Sequence, residues 1–189
     1  LKQEGRPHAV EGAKAKLFAW PGLAARVINA DDAFGQSLVD AARAHGRPVL
    51  TYGLANADVA ATEIATTGAG LALSVATPWG RGSLATKLVG AFNASNVLGC
   101  LAALLASEIP LADALSALGE VEPPPGRMQR LGGHDAPLVV VDYAHTPDAL
   151  EKVLRALRPA VTEGGELVCV FGCGGDRDAG KRPEMGRIA

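Results

Sequence analysis

The residue types best able to do chemistry gather around a glycine-rich stretch near the end of the chain. Gly175 to Arg182 reads GDRDAGKR. Four residues between a glycine and Gly-Lys is nearly the spacing of a phosphate-cradling loop. Arg182, however, stands where that loop needs a hydroxyl for magnesium. Pro183 removes a backbone donor from the helix start. The dinucleotide fingerprint fails as well, because Arg177 occupies the place of its last glycine. On spacing alone this is a tight structural turn whose charges (Asp176, Arg177, Asp178, Lys181 and Arg182) could cradle a zwitterionic ligand. Asp142 ends the apolar run Leu138–Val141. It reads either as a turn or cap carboxylate or as an acceptor for ribose hydroxyls. His145 reads as a turn histidine or a nucleotide contact. Asn93 and Asn96 open an otherwise apolar helix. Asn93 is a good N-cap, and an asparagine amide also matches the donor–acceptor edge of adenine. Arg127 follows a run of prolines, as a surface charge or as one facing a cleft where ligands sit. Lys14 and Lys16 have the spacing of solvated helix lysines.

The elements that must position these groups read as α/β. Leu138–Val141 is a buried-type strand. Thr146 then caps a helix with Pro147 at its first position. Leu150, Val153, Leu154 and Leu157 fall at i, i+3, i+4 and i+7, one apolar face. A second apolar strand is expected over Leu167–Phe171, ending in Gly172, Gly174 and Gly175. Strand, helix and strand would form a right-handed βαβ unit in a parallel sheet, with Asp142 and the glycine-rich loop at the carboxyl ends where ligands bind. Earlier in the chain, Val10–Ala19 reads as a helix ended by Pro21 and Gly22. Arg26–Ala30 and Pro48–Tyr52 read as strands, flanking a helix capped by Asp31 or Asp32 and closed at Gly46. Asp58–Thr67, Gly70–Thr77 and Ser83–Val89 suggest an antiparallel hairpin or a small three-stranded sheet turning at Pro78–Gly82. Helices over Ala91–Ser107 and Leu111–Leu118 follow. The stiff run Glu122-Pro-Pro-Pro-Gly126 marks a domain boundary, giving domains 1–122 and 123–189.

Composition narrows the function classes. The chain has 189 residues, is 48% hydrophobic and carries a formal net charge of −2. That suits one or two globular domains and supplies no field for nucleic acid or an anionic membrane. The longest strongly apolar run, Val97–Ala106, is too short to span a bilayer. The start shows no signal-peptide pattern. Cys100, Cys169 and Cys173 have no paired-ligand spacing and read as free thiols. The chain starts on Leu1 and stops within an apparent helix, as expected of a piece of a longer protein.

Four strings carry a family resemblance: GAFNASNVLGCLAALLA (Gly90–Ala106), GRMQR (Gly126–Arg130), VVVDYAHTPDALEKVL (Val139–Leu154) and VFGCGGDRDAGKRPEMG (Val170–Gly186). AKAKLFAW and VINADD (Val27–Asp32) agree with them. The chain resembles the Mur ligases from about Glu11 to Ala189, and within them the type that adds meso-diaminopimelate to UDP-N-acetylmuramoyl-L-alanyl-D-glutamate. The resemblance implies the second half of the central ATP-binding domain, followed by the first half of a Rossmann-like C-terminal domain. It also implies a bacterial, cytoplasmic, monomeric enzyme of peptidoglycan synthesis that uses ATP and magnesium. In that reaction a substrate carboxylate takes the γ-phosphoryl group, and the amine of the diamino acid then displaces phosphate. The enzyme's part is positioning and charge neutralisation.

Residue by residue, the resemblance gives Lys14 as a carbamylated lysine whose carbamate oxygens hold magnesium. It gives Asn93 as the adenine reader, Asp142 as a ribose contact, and Arg127 and His145 as further nucleotide contacts. Arg177, with Lys181 nearby, would meet diaminopimelate. The departures are that the family's phosphate-binding loop and N-terminal domain are absent, and that KQEGRPHAV (Lys2–Val10) replaces a stretch carrying a magnesium ligand. An Asp-Asn-Pro-Arg motif that grips diaminopimelate would fall beyond Ala189. The chain alone is therefore expected to be inactive. Alternatives are another Mur ligase, a folylpolyglutamate synthase, or a truncated, non-catalytic nucleotide-binding module.

Overall fold

A computed structural model describes residues 6–67, 70–133, 135–174 and 178–189, with the side chains of 6–10 and 67 outside the description. The chain divides into two compact units. One comprises Leu1–Ile64, Leu73–Leu84 and Ala94–Gly119, and the other Ala65–Ala72, Ala85–Asn93 and Glu120–Ala189.

The first unit opens with α1 (Arg6–Ala19), β1 (Val27–Asn29), α2 (Ala33–Ala44) and β2 (Leu50–Gly53). Asp32 rather than Asp31 caps α2, accepting from the Gly35 N–H at 2.6 Å. Gly46 ends it at φ +63°, a left-handed turn that glycine adopts without steric cost. Leu38 and Val39 face inward and pack with Ile28, Ala15, Phe18, Phe34 and Val49. β1 and β2 pair in parallel, Val27 opposite Leu50 and Asn29 opposite Tyr52, so this stretch is the βαβ unit its pattern predicts.

β2 then steps sideways into β3 (Val59–Thr67) and pairs with it in parallel at Tyr52–Val59 and Gly53–Ala60. Parallel neighbours usually need a long crossover. Here five residues suffice because Asp58 and Thr51 lock the step. Asp58 Oδ2 accepts from the Thr51 N–H at 2.8 Å and its hydroxyl at 2.7 Å, and Thr51 Oγ1 accepts from the Asp58 N–H at 2.9 Å. β4 (Gly70–Thr77) and β5 (Gly80–Thr86) complete one sheet in the order β1-β2-β3-β4-β5. The expected small separate sheet is thus continuous with the parallel strands. Side-chain alternation reports which face a strand buries and carries no information on which strand it joins.

α3 (Phe92–Ala106) buries Ala94, Val97, Leu98, Leu101, Ala102 and Leu105, the i, i+3, i+4 stripe of a core helix. α4 (Leu111–Gly119) follows Pro110, whose carbonyl accepts from the Ala114 N–H at 3.0 Å.

The second unit carries β6 (Gln129–Leu131), β7 (Val139–Val141), α5 (Pro147–Leu157), a short 3₁₀ turn at Arg158–Ala160, and α6 (Lys181–Ile188). α5 starts as predicted, with Thr146 Oγ1 accepting from the Ala149 N–H at 3.3 Å and Pro147 in the first turn. The βαβ expectation for this half does not hold. β7 pairs antiparallel with β6, Arg130 opposite Val140, and Leu167–Phe171 forms no strand. Val168 and Val170 are 75% and 94% exposed. A strand needs a neighbour for its peptide groups and cover for its apolar faces; among the described residues this run pairs with no strand, and only the face of Leu167 and Cys169 is half-buried.

Candidate functional site

Asp142 directly follows β7, and main-chain donors engage both of its oxygens. Oδ2 accepts from the Met128 N–H at 2.9 Å, and Oδ1 from the Ala144 N–H at 2.8 Å. The first bond ties the turn before β6 to the turn after β7, and the second closes an Asx turn. Asp142 is therefore a structural carboxylate. A carboxylate offers about four lone-pair positions, so acceptor capacity remains for a ligand hydroxyl.

Arg127 stands between two left-handed residues, Gly126 at φ +74° and Met128 at φ +50°. Glycine adopts that conformation freely, whereas methionine is strained in it. The strain is held because the Met128 side chain is buried and its N–H is bound to Asp142. This backbone carries the Arg127 guanidinium to 5.3 Å from the centroid of the Tyr143 ring, within cation–π range. Tyr143 in turn meets His145 edge-on, with centroids 5.6 Å apart and planes at 64°. His145 Nδ1 lies 3.1 Å from the Tyr143 carbonyl. Lys181 Nζ donates to the His145 carbonyl at 3.4 Å, bringing the start of α6 to the turn before α5. Arg127, Asp142, His145 and Lys181, chosen from sequence, thus form one connected cluster. Tyr143, which joins two of them, was not singled out. The available signal was an aromatic residue directly after a carboxylate that ends a strand.

Asn93 is not an N-cap. α3 begins one residue earlier, and the Asn93 amide folds back to donate to the Val89 carbonyl at 2.8 Å. The residue is half-buried, whereas Asn96 is exposed. A second polar knot escaped the sequence reading at the carboxyl ends of β1 and β2. Asn29 Oδ1 accepts from the Asp31 N–H at 2.7 Å, and its amide donates to Ser95 Oγ at 3.3 Å. The Asp31 carboxylate accepts from the Leu54 N–H at 2.9 and 3.1 Å.

Lys14 is exposed on α1. The carboxyl end of that helix is held by Arg26, which is 2% exposed and donates to the carbonyls of Phe18 at 2.7 Å and Trp20 at 2.6 Å. A guanidinium on these carbonyls also complements the negative end of the helix dipole. An exposed ε-amine is open to carbon dioxide, and the resulting carbamate would offer the oxygen ligands magnesium takes. Among the described residues, no group of three His, Cys, Asp or Glu side chains could hold a metal ion. Arg177, with Gly175 and Asp176, lies outside the described residues. Cys100, Cys169 and Cys173 are free thiols. Among the described residues no helix is long and apolar enough to cross a membrane.

Comparison with known proteins places both halves of the chain. Residues 5–104 match the Mur ligase middle domain, and residues 126–189 match the Mur ligase glutamate ligase domain. A UDP-N-acetylmuramoyl-L-alanyl-D-glutamate–2,6-diaminopimelate ligase of Chromobacterium violaceum is 52% identical over 189 residues, covering 100% of this chain and 38% of the relative. The ligase of the same name from Pseudomonas aeruginosa is 53% identical over 191 residues, again covering 100% and 38%. The chain thus spans about 38% of the length of these curated relatives. Among solved structures, one of a ligase of that name superposes with a TM-score of 0.74 at 36% identity, covering 98% of this chain and 38% of that one. A Mycobacterium tuberculosis folylpolyglutamate synthase complexed with ADP and AMPPCP gives 0.69 at 20% identity, covering 85% and 37%, and shares the fold.

Proposed function

The chain belongs to the Mur ligase family, and from that membership we propose that its parent protein is the ATP-dependent ligase adding meso-diaminopimelate to UDP-N-acetylmuramoyl-L-alanyl-D-glutamate. The observation that carries this reading is the identity of 52–53% with two ligases of that name, sustained across the whole chain. The GGDRDAGKRP string supports the diaminopimelate type over the other Mur ligases and the folylpolyglutamate synthases. We propose the domain boundary at the proline run Glu122–Gly126; the reading is supported by its position between two matched segments, one ending at residue 104 and the other beginning at 126.

The cluster around Tyr143 suits the sugar and base end of a nucleotide. Asp142 has acceptor capacity for ribose hydroxyls, and Arg127 and His145 flank it with a cation and an imidazole. Asn93 would read the adenine edge. Lys14, as a carbamate, would hold magnesium, while Arg177 and Lys181 would meet the incoming diamino acid. ATP supplies the phosphoryl group that activates the substrate carboxylate, and the residues of this chain hold and orient the reactants. The parent would act in the cytoplasm as a monomer.

The test is phosphate release by the full-length parent with UDP-N-acetylmuramoyl dipeptide, ATP and either diaminopimelate or lysine. Release that depends on diaminopimelate supports the reading. Release with lysine alone, or with a folate substrate, overturns it. The isolated chain should release none.

A further inference from the structure

We propose that Tyr143 is a positioning residue of the nucleotide site, holding Arg127 on the face of its ring and His145 at its edge. The inference rests on the nucleotide reading above and gives a role to Tyr143, which that reading names only as the centre of the cluster. Three observations converge on it.

The Arg127 side chain is exposed and, among the described residues, forms no ion pair. The nearest carboxylate in the cluster, Asp142, is already engaged by two main-chain N–H groups. The contact that orients the guanidinium is therefore the Tyr143 ring, 5.3 Å away. An exposed arginine otherwise samples many rotamers, and each one frozen on binding weakens affinity. A ring that holds the guanidinium beforehand removes that cost.

The same ring meets His145 edge-on, and the His145 Nδ1 lies against the Tyr143 carbonyl. Tyr143 thus sets both Arg127 and His145 at once. Finally, the Tyr143 side chain is 67% exposed and its hydroxyl has no hydrogen bond among the described residues. An aromatic with so little burial contributes little to the core, so its substitution should move binding and leave stability nearly unchanged.

The ring face, rather than the hydroxyl, is the working part. Steady-state kinetics of the full-length parent, with ATP and diaminopimelate varied in turn, test this on Tyr143→Phe, Tyr143→Ala, Arg127→Ala and the Arg127→Ala/Tyr143→Ala double variant. A melting curve accompanies each. Tyr143→Phe keeps the face and is expected to match wild type. Tyr143→Ala should raise KM for ATP about two- to fivefold, the range of cation–π contacts at exposed sites. KM for diaminopimelate and the melting temperature should stay at wild-type values. The double variant should lose clearly less than the product of the two single losses, because the ring acts in part through the guanidinium and keeps only its hold on His145 once Arg127 is gone.

Three results would overturn the inference: an unchanged KM for ATP in Tyr143→Ala, a Tyr143→Phe variant as impaired as the alanine, or losses that multiply in the double variant. Arg127→Ala with a wild-type KM for ATP would instead bring down the nucleotide assignment on which the inference stands.

Discussion

Asp142→Ala tests whether this carboxylate holds the site together, whatever else it binds. The substitution strips acceptors from the N–H groups of Met128 and Ala144, bonded at 2.9 and 2.8 Å. Hydrogen bonds to a charged group contribute about 1.5–3 kcal/mol each, and the half-exposed setting of Asp142 argues for the lower end. Together they amount to about 3 kcal/mol. Part of this is offset, because Met128 at φ +50° can then relax from a left-handed conformation that costs about 1–2 kcal/mol. The net expectation is a destabilisation of about 1–2 kcal/mol. Asp142→Asn keeps one acceptor oxygen and should lose about half as much. Urea denaturation of the chain, followed by the ellipticity of its helices, measures both. Glu122→Ala serves as the control, since it breaks the exposed Lys87–Glu122 ion pair, a class worth about 0–1 kcal/mol. If Asp142→Ala is no more destabilising than that control, the carboxylate does not clamp the two turns and the account of Met128 is wrong.

Three further outcomes are expected. In the full-length parent, Lys14→Ala should lose most activity and regain part of it with a short carboxylic acid, whose oxygens replace the carbamate; unchanged turnover returns Lys14 to the role of a solvated helix lysine. Arg177→Ala in the parent should raise KM for diaminopimelate about ten- to a hundredfold, the worth of a charge-assisted hydrogen bond, with KM for ATP near wild type. Losses for both substrates together with a lower melting temperature would assign Arg177 to loop structure. The isolated chain should bind ATP weakly or not at all by calorimetry, because its sequence holds no complete phosphate-cradling loop; tight, magnesium-dependent binding would show that the phosphates sit on other residues.

Local chemistry was legible where a side chain and its partner are close in sequence. Thr146 and Pro147 announce α5, and Asp32 with Gly46 brackets α2, because caps and left-handed turns depend on a few neighbouring residues. Long-range pairing was not legible in the same way. Nothing in Asp58 or Thr51 alone signals that they bond each other and turn β2 into a parallel neighbour of β3. The site followed the same division. Asp142 and Arg127 stood out as types, but their joining through Met128 and Tyr143 depends on β6 meeting β7, a pairing the apolar run Val139–Val141 does not specify.

Leu167–Phe171 shows why an apolar run is a conditional signal. Its composition matches a strand covered on both faces, and such cover comes from elements outside the run. In this chain Val170 is 94% exposed, while Met185, in α6, is fully buried, its Sδ 3.4 Å from Cys173 Sγ. One face of the run, Val168 and Val170, is thus bare, while Leu167 and Cys169 on the other face are half-buried. Hydrophobic burial is a property of pairs of surfaces. A sequence can state that one surface of the pair is apolar, but the strand forms only where the second surface is supplied. The same condition applies to the ligand. The cluster of Arg127, Asp142, Tyr143 and His145 is built from contacts internal to residues 127–145, so it is organised whether or not Leu167–Phe171 is paired. The nucleotide end of the proposed site thus depends on local packing.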